Sequence, residues 1–148
     1  MQPLKYSSFI MQCLQRVTSH FSDYPILQSF YDDLPNKPYC SDTKDYCKVR
    51  PKATASKLPY IQANHPNIIK WLIIDIDSDF KNKFIDYYDE KLFFRWHDRN
   101  LPMPTFIARN KKNGHVQYFI KLTNPVSMFE NSRSHPVTFL KNLQYALT

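Results

Sequence analysis

A single glycine, Gly114, stands in a chain of 148 residues that also carries 11 prolines. Glycine lets a backbone take positive φ and approach a phosphate closely. A dinucleotide fingerprint, a P-loop or a kinase-type loop needs two or three glycines at fixed spacing, so all three are excluded. The prolines constrain the other end of the problem. Pro35, Pro38, Pro51, Pro59 and Pro66 interrupt the stretch from Leu34 to Pro66, a density that forbids long regular elements. Residues 35–66 are therefore expected to form an irregular basic arm laid over the domain.

That arm interleaves Lys37, Lys44, Lys48, Arg50, Lys52 and Lys57 with Tyr39, Tyr46 and Tyr60. Cations spaced among aromatic rings suit single-stranded nucleic acid, because lysine and arginine neutralise phosphates while tyrosines stack on bases. Lys44, Lys48, Arg50, Lys52 and Tyr46 are the residues expected to meet DNA. An ordinary basic surface with core tyrosines accounts for the same pattern. The chain's formal charge of +7 gives any polyanion a non-specific attraction.

The flanking segments are more regular. Leu4, Ile10, Met11, Leu14, Val17 and Phe21 recur at helical spacing within an amino-terminal helical segment, residues 1–34. After Pro66, Ile68 to Ile74 is a β-branched run that ends in Asp75-Ile76-Asp77, and Phe84 to Trp96 carries aromatic residues at intervals of three and four. Those aromatic residues cover too much of the helix for all of them to be exposed, which favours core packing over base stacking. Pro104 to Arg109 and His115 to Leu122 flank Asn110-Lys111-Lys112-Asn113-Gly114, a hairpin turn with an Asn-Gly dipeptide. In the returning strand Val116, Tyr118, Ile120 and Leu122 share one face for the core, leaving His115, Gln117, Phe119 and Lys121 on a face for a site. Phe139 to Leu147 predicts a closing helix. The order implies an α+β fold with an antiparallel sheet covered on one face, and its βαββ unit over 67–148 resembles half of an RRM or ferredoxin-like palm. At this length, with 43% hydrophobic residues, the segments should pack as one domain.

The longest apolar run, around Leu72–Ile76, is bounded by Lys70 and broken by Asp75, far short of a membrane span. The opening MQPLKYSSFIMQCLQ has no small-residue cleavage site and carries Lys5 in an amphipathic pattern. A soluble, cytoplasmic protein is expected, with no membrane partner. Cys40 and Cys47 are spaced wrongly for a zinc knuckle, and with Cys13 they read as free thiols.

Asp75 and Asp77 are two apart in a strand, so they should project from one face at its carboxyl end. Two carboxylates that close repel each other, and a divalent cation relieves the repulsion. Such pairs suit two-metal phosphoryl chemistry, although a solvated acidic strand end fits the triplet too. An EF-hand starting at Asp75 would need glycine at Phe80 and glutamate at Asp86. A haloacid-dehalogenase phosphatase shares the strand and Asp-x-Asp but belongs to a parallel sheet. His115 opens the hairpin's second strand beside Lys111 and Lys112. A lone histidine is usually a surface or satisfied residue, but here two acidic residues stand on a neighbouring strand.

Taken in order, Asp75-x-Asp77, the helix, Trp96-His97-Asp98-Arg99-Asn100-Leu101-Pro102-x-Pro104 and Asn113-Gly114-His115-x-x-Tyr118 resemble plasmid replication initiators of the replicase family, within the archaeo-eukaryotic primase (primase-polymerase) superfamily. Pro38-Tyr39-Cys40-Ser41-Asp42 and Tyr60-Ile61-Gln62-x-Asn64-x-Pro66 resemble that family's upstream region, so the likeness runs from about residue 35 to Pro125. The resemblance implies that Asp75 and Asp77 hold catalytic Mg²⁺ or Mn²⁺, and that His115 contacts the phosphates of an incoming nucleoside triphosphate with Arg109, Lys111 and Lys112 around it. A third acid would come from a strand after the hairpin, where Glu130 is the one acidic residue after Leu122. Family members continue into a carboxyl-terminal DNA-binding region, so this chain resembles the amino-terminal catalytic-type portion. The expectation is a plasmid replication protein that makes a primer at an origin in a bacterial cytoplasm. The alternative is the same fold used without catalysis for origin recognition.

Overall fold

The computed structural model describes residues 24–43, 45–76, 90–109 and 116–147. The helix expected over Leu4–Phe21, the turn Asn110–Gly114 and the positions Lys44, Asp77, Lys111, Lys112 and His115 lie outside the described residues. The described part is α+β, with two antiparallel three-stranded sheets and four helices. The chain divides into two compact units, residues 1–65 and 66–148.

In the first unit, α1 (Pro25–Asp33) starts with proline at its first turn, where the missing N–H costs nothing, and ends just before Pro35. Phe30 is its buried residue. The segment 35–66 is more regular than expected. It contains β1 (Tyr39–Ser41), β2 (Lys48–Val49), the one-turn helix α2 (Lys52–Ala55) and β3 (Tyr60–Ile61), in the sheet order β2-β1-β3. The prolines do limit element length, but they fall between the strands, where no ladder N–H is needed. Cys40 pairs with Lys48 on one side and Ile61 on the other. Gln62 closes the edge: its side chain accepts from the Tyr39 N–H at 3.1 Å and donates to the Asn64 carbonyl at 2.7 Å, while its own N–H donates to the Tyr39 carbonyl at 2.8 Å. The buried Ser41 hydroxyl lies against the carbonyls of Thr43 and Tyr46, fastening the loop that leads into β2.

The second unit runs β4 (Ile68–Ile76), α3 (Glu90–Asp98), β5 (Phe106–Arg109), β6 (Val116–Ser127) and α4 (Ser134–Leu147), with sheet order β4-β6-β5. Leu72, Ile74, Val116 and Tyr118 are buried on one face of the sheet with Leu140 of α4, and Trp96 of α3 packs against them. The Tyr118 hydroxyl reaches the main chain of Arg95 and Trp96, and burial raises its pKa. Two boundaries differ from the sequence expectation by five residues. β6 extends to Ser127 rather than Leu122 because the β4–β6 register shifts between Ile69 and Trp71, and Pro125, which has no N–H to give, falls inside that irregularity. α4 starts at Ser134 rather than Phe139, since Pro136 lies in the first turn, where proline is tolerated.

The Trp96–Pro104 segment is legible as a helix stop. Asn100 has φ 53°, in the left-handed region. The Leu101 N–H donates to the Trp96 carbonyl at 2.8 Å and the Asn100 N–H to the His97 carbonyl at 3.0 Å. These two bonds are the Schellman pattern, with Asn100 at C′. Trp96 anchors the last turn in the core and Asn100 reverses the chain toward β5.

Candidate functional site

Strand alternation decides where Asp75 goes. Ile74 and Ile76 belong to the face packed under the helices, so Asp75 leaves the sheet on the opposite face. It is exposed, and it pairs in register with Gln117 of β6, which in turn pairs with Ala108 of β5. A carboxylate, a carboxamide and a methyl thus form one row across the carboxyl end of β4. Gln117 is the neighbour that sequence reading left without a role, although strand alternation already placed it on this face.

The middle of that face is closed among the described residues. Phe119 is fully buried and Trp71 nearly so, with 0% and 1% of their surfaces exposed. Phe106 lies opposite Phe119 in the ladder and stacks on it at 4.3 Å between centroids, Trp71 is tilted against Phe106 at 5.7 Å, and the Lys121 Nζ lies 5.5 Å from the Trp71 ring. The expected site face of β6 is therefore an aromatic core along its middle, with Asp75 exposed beyond it at the end of β4. Cross-strand aromatic pairing explains why Phe119 was drawn inward.

Arg109 pairs with Val116, a core residue, so alternation sends it to the helix side of the sheet, away from Asp75 and Gln117. The structure does not bring it onto the Asp75 face. Glu130 follows Ser127, which pairs with Ile68 at the far end of β4. A turn closed by Ser132 N–H to the Phe129 carbonyl and by contact of the Ser127 and Ser132 hydroxyls keeps Glu130 at that end. From Ile68 to Asp75 is seven residues, roughly 23 Å of strand. Glu130 cannot supply a third acid beside Asp75. Among the described residues no three His, Cys, Asp or Glu side chains come together as a metal would require.

In the first unit the expected DNA-contacting residues divide. Lys48 forms an ion pair with Asp42 at 2.8 Å, and the Arg50 guanidinium donates to the Val49 carbonyl at 3.0 Å. Tyr46 is 70% exposed, which leaves its ring available for stacking. Lys52 is built into the fold, with its ammonium 5.0 Å from the Tyr31 ring and donating to the Asp32 carbonyl at 3.4 Å. Cys40 is buried and donates to the Lys48 carbonyl at 3.4 Å, whereas Cys47 is exposed, and both are free thiols. Among the described residues no helix is long and apolar enough to cross a membrane.

The family model described as Replicase family matches residues 33–148 of this chain. Neither the curated proteins nor the solved structures yield a match. The matched span takes in the second unit and the first from residue 33 onward, including the two upstream motifs that pair as β1 and β3.

Proposed function

The chain belongs to the Replicase family over residues 33–148, which gives it a role in DNA replication, and on that premise we propose that it acts in a bacterial cytoplasm as a plasmid replication initiator of primase-polymerase type. The carrying observation is Asp75, an exposed carboxylate at the carboxyl end of β4 on the face opposite the helices. The order β4, α3, β5, β6 and the antiparallel arrangement β4-β6-β5 support reading the second unit as an RRM or ferredoxin-like palm, with the site at its strand ends.

Asp75 suits a hard divalent cation because it offers carboxylate oxygens, and the Gln117 carboxamide stands opposite it in the ladder. Asp77 stands two residues beyond Asp75 and His115 two residues before Gln117, and these are the residues proposed to complete the site. Bound Mg²⁺ or Mn²⁺ would supply charge neutralisation for a triphosphate and activation of a 3′-hydroxyl. Asp75 and Asp77 would hold the ions. His115, Lys111 and Lys112 would position the nucleotide's phosphates, while Lys44, Lys48, Arg50 and Tyr46 hold template DNA. Lys52 adds only its charge to that surface.

Calorimetric titration with Mn²⁺ and a nucleoside triphosphate tests the proposal. Metal-dependent nucleotide binding is expected in the native chain and is lost in Asp75→Ala. Equal binding by both proteins would refute the assignment. The position of Glu130 favours a second reading, a non-catalytic DNA-binding module for origin recognition, because it removes the acid expected downstream of the hairpin. On that reading Asp75→Ala leaves DNA binding unchanged, and neither protein binds nucleotide with Mn²⁺.

A further inference from the structure

At the end of the second unit opposite Asp75 the chain forms a cleft of about 490 Å³ where β6 runs through a turn into α4. That volume is within the usual range for a small-molecule site. Its walls are of two kinds. Pro125, Phe129 and Pro136 present rings, and Ser127, Ser132 and Arg133 present hydrogen-bonding groups. Phe129 lines this concavity with 51% of its surface exposed, and no ring stacks on it among the described residues. Arg133 is exposed and makes no ion pair or side-chain hydrogen bond among the described residues. Among the described residues no acidic side chain lines the cleft.

A ligand that complements both walls has a flat, weakly polar ring and an anionic group a few ångströms away. We infer that the cleft binds one nucleotide unit, with its base against Phe129 and its phosphate on Arg133. A planar guanidinium matches a phosphate in bidentate fashion, and base stacking on an aromatic side chain is indifferent to sequence. The nucleotide is either free in solution or part of a single strand. Since the cleft is roughly 23 Å of strand from Asp75, a strand held there would be a second contact, separate from any chemistry at Asp75. The inference does not depend on catalysis at Asp75.

The test uses the full chain and a fluorescent, 5′-phosphorylated oligothymidine of roughly six nucleotides carrying one 4-thiothymidine. Binding is read by anisotropy across a salt series, and the site by photo-crosslinking with peptide mapping. Crosslinks are expected on the peptide that contains Phe129. Phe129→Ala should raise Kd roughly tenfold. Arg133→Gln should weaken binding and reduce the slope of log Kd against log salt by about 0.7, the value for one phosphate on a single strand. Both residues are exposed, and unchanged melting curves confirm that the variants fold. These readings are taken without Mn²⁺ or a nucleoside triphosphate and are expected in their absence, so failure at Asp75 and failure here are distinguishable. Displacement of the oligonucleotide by thymidine monophosphate would identify a free nucleotide as the occupant, and resistance to it a strand. Crosslinks confined to other peptides, or wild-type affinity and salt slope in both cleft variants, would overturn the inference.

Discussion

Asn100 offers a test of whether the Trp96–Pro104 segment is shaped by backbone geometry or by a ligand. Its φ of 53° places a non-glycine residue in the left-handed region, at the C′ position of a Schellman motif. Residues with a Cβ cost about 1–2 kcal/mol there, asparagine less, and glycine almost nothing. Asn100→Val should therefore destabilise the chain by about 1–2 kcal/mol, because a β-branched side chain meets the following carbonyl. Asn100→Ala should cost about half that. Asn100→Gly should fall within about 0.5 kcal/mol of the native chain, since relief of the backbone offsets the extra freedom glycine gains when unfolded. With about 3–5 °C of Tm per kcal/mol for a chain of this size, the glycine and valine variants should separate clearly by calorimetry or circular dichroism. Urea titration with an unchanged m value would show that only stability has moved. If Asn100→Gly were as damaging as Asn100→Val, the carboxamide rather than the backbone angle would be what position 100 supplies, and the helix-stop account would be wrong.

Other outcomes follow from the packing. Phe119→Ala removes a fully buried ring stacked on Phe106 and should cost about 3–5 kcal/mol by chemical denaturation; a loss under 1 kcal/mol would mean the site-side face is loosely packed. Lys52→Gln should lower stability by about 0.5–1 kcal/mol through loss of its contact with Tyr31 while barely changing the salt slope of DNA binding, whereas Lys48→Ala with Arg50→Ala should flatten that slope. Burial holds the Cys40 thiol above the ordinary value of 9.0, so the folded chain keeps a proton that the unfolded chain releases. The stability this represents is present in full below the unfolded value and declines as pH rises past it; melting curves between neutral pH and pH 10 that showed no decline would contradict the burial argument. Iodoacetamide at mildly alkaline pH should accordingly modify Cys47 and spare Cys40 in the folded chain, as mass spectrometry of the labelled peptides can show.

Local chemistry was enough for some features. The β-branched run after Pro66 gives β4, proline spacing keeps the elements of 35–66 short, and the alternation of Val116, Tyr118, Ile120 and Leu122 marks the face that packs under the helices. These follow from periodicity and backbone restriction, which act over a few residues. The α+β class and the exposed position of Asp75 follow from the same signals. Tertiary pairing decided what periodicity could not. Phe119 stands in a site-like position in the alternation, yet an aromatic partner across the ladder at Phe106 turns that stretch into core. Arg109 and Glu130 are near the hairpin in sequence, but register sends one to the helix side of the sheet and the other to its far end. Lys52 resembles its basic neighbours until α1 brings Tyr31 beneath its ammonium. The cleft beside Phe129 has no sequence signature, because its walls come from a strand end, a turn and a helix that meet only on folding. A sequence records which way each side chain points along its own element; which residues come to face one another depends on how the elements are registered and packed, and that is where this protein's candidate sites were set.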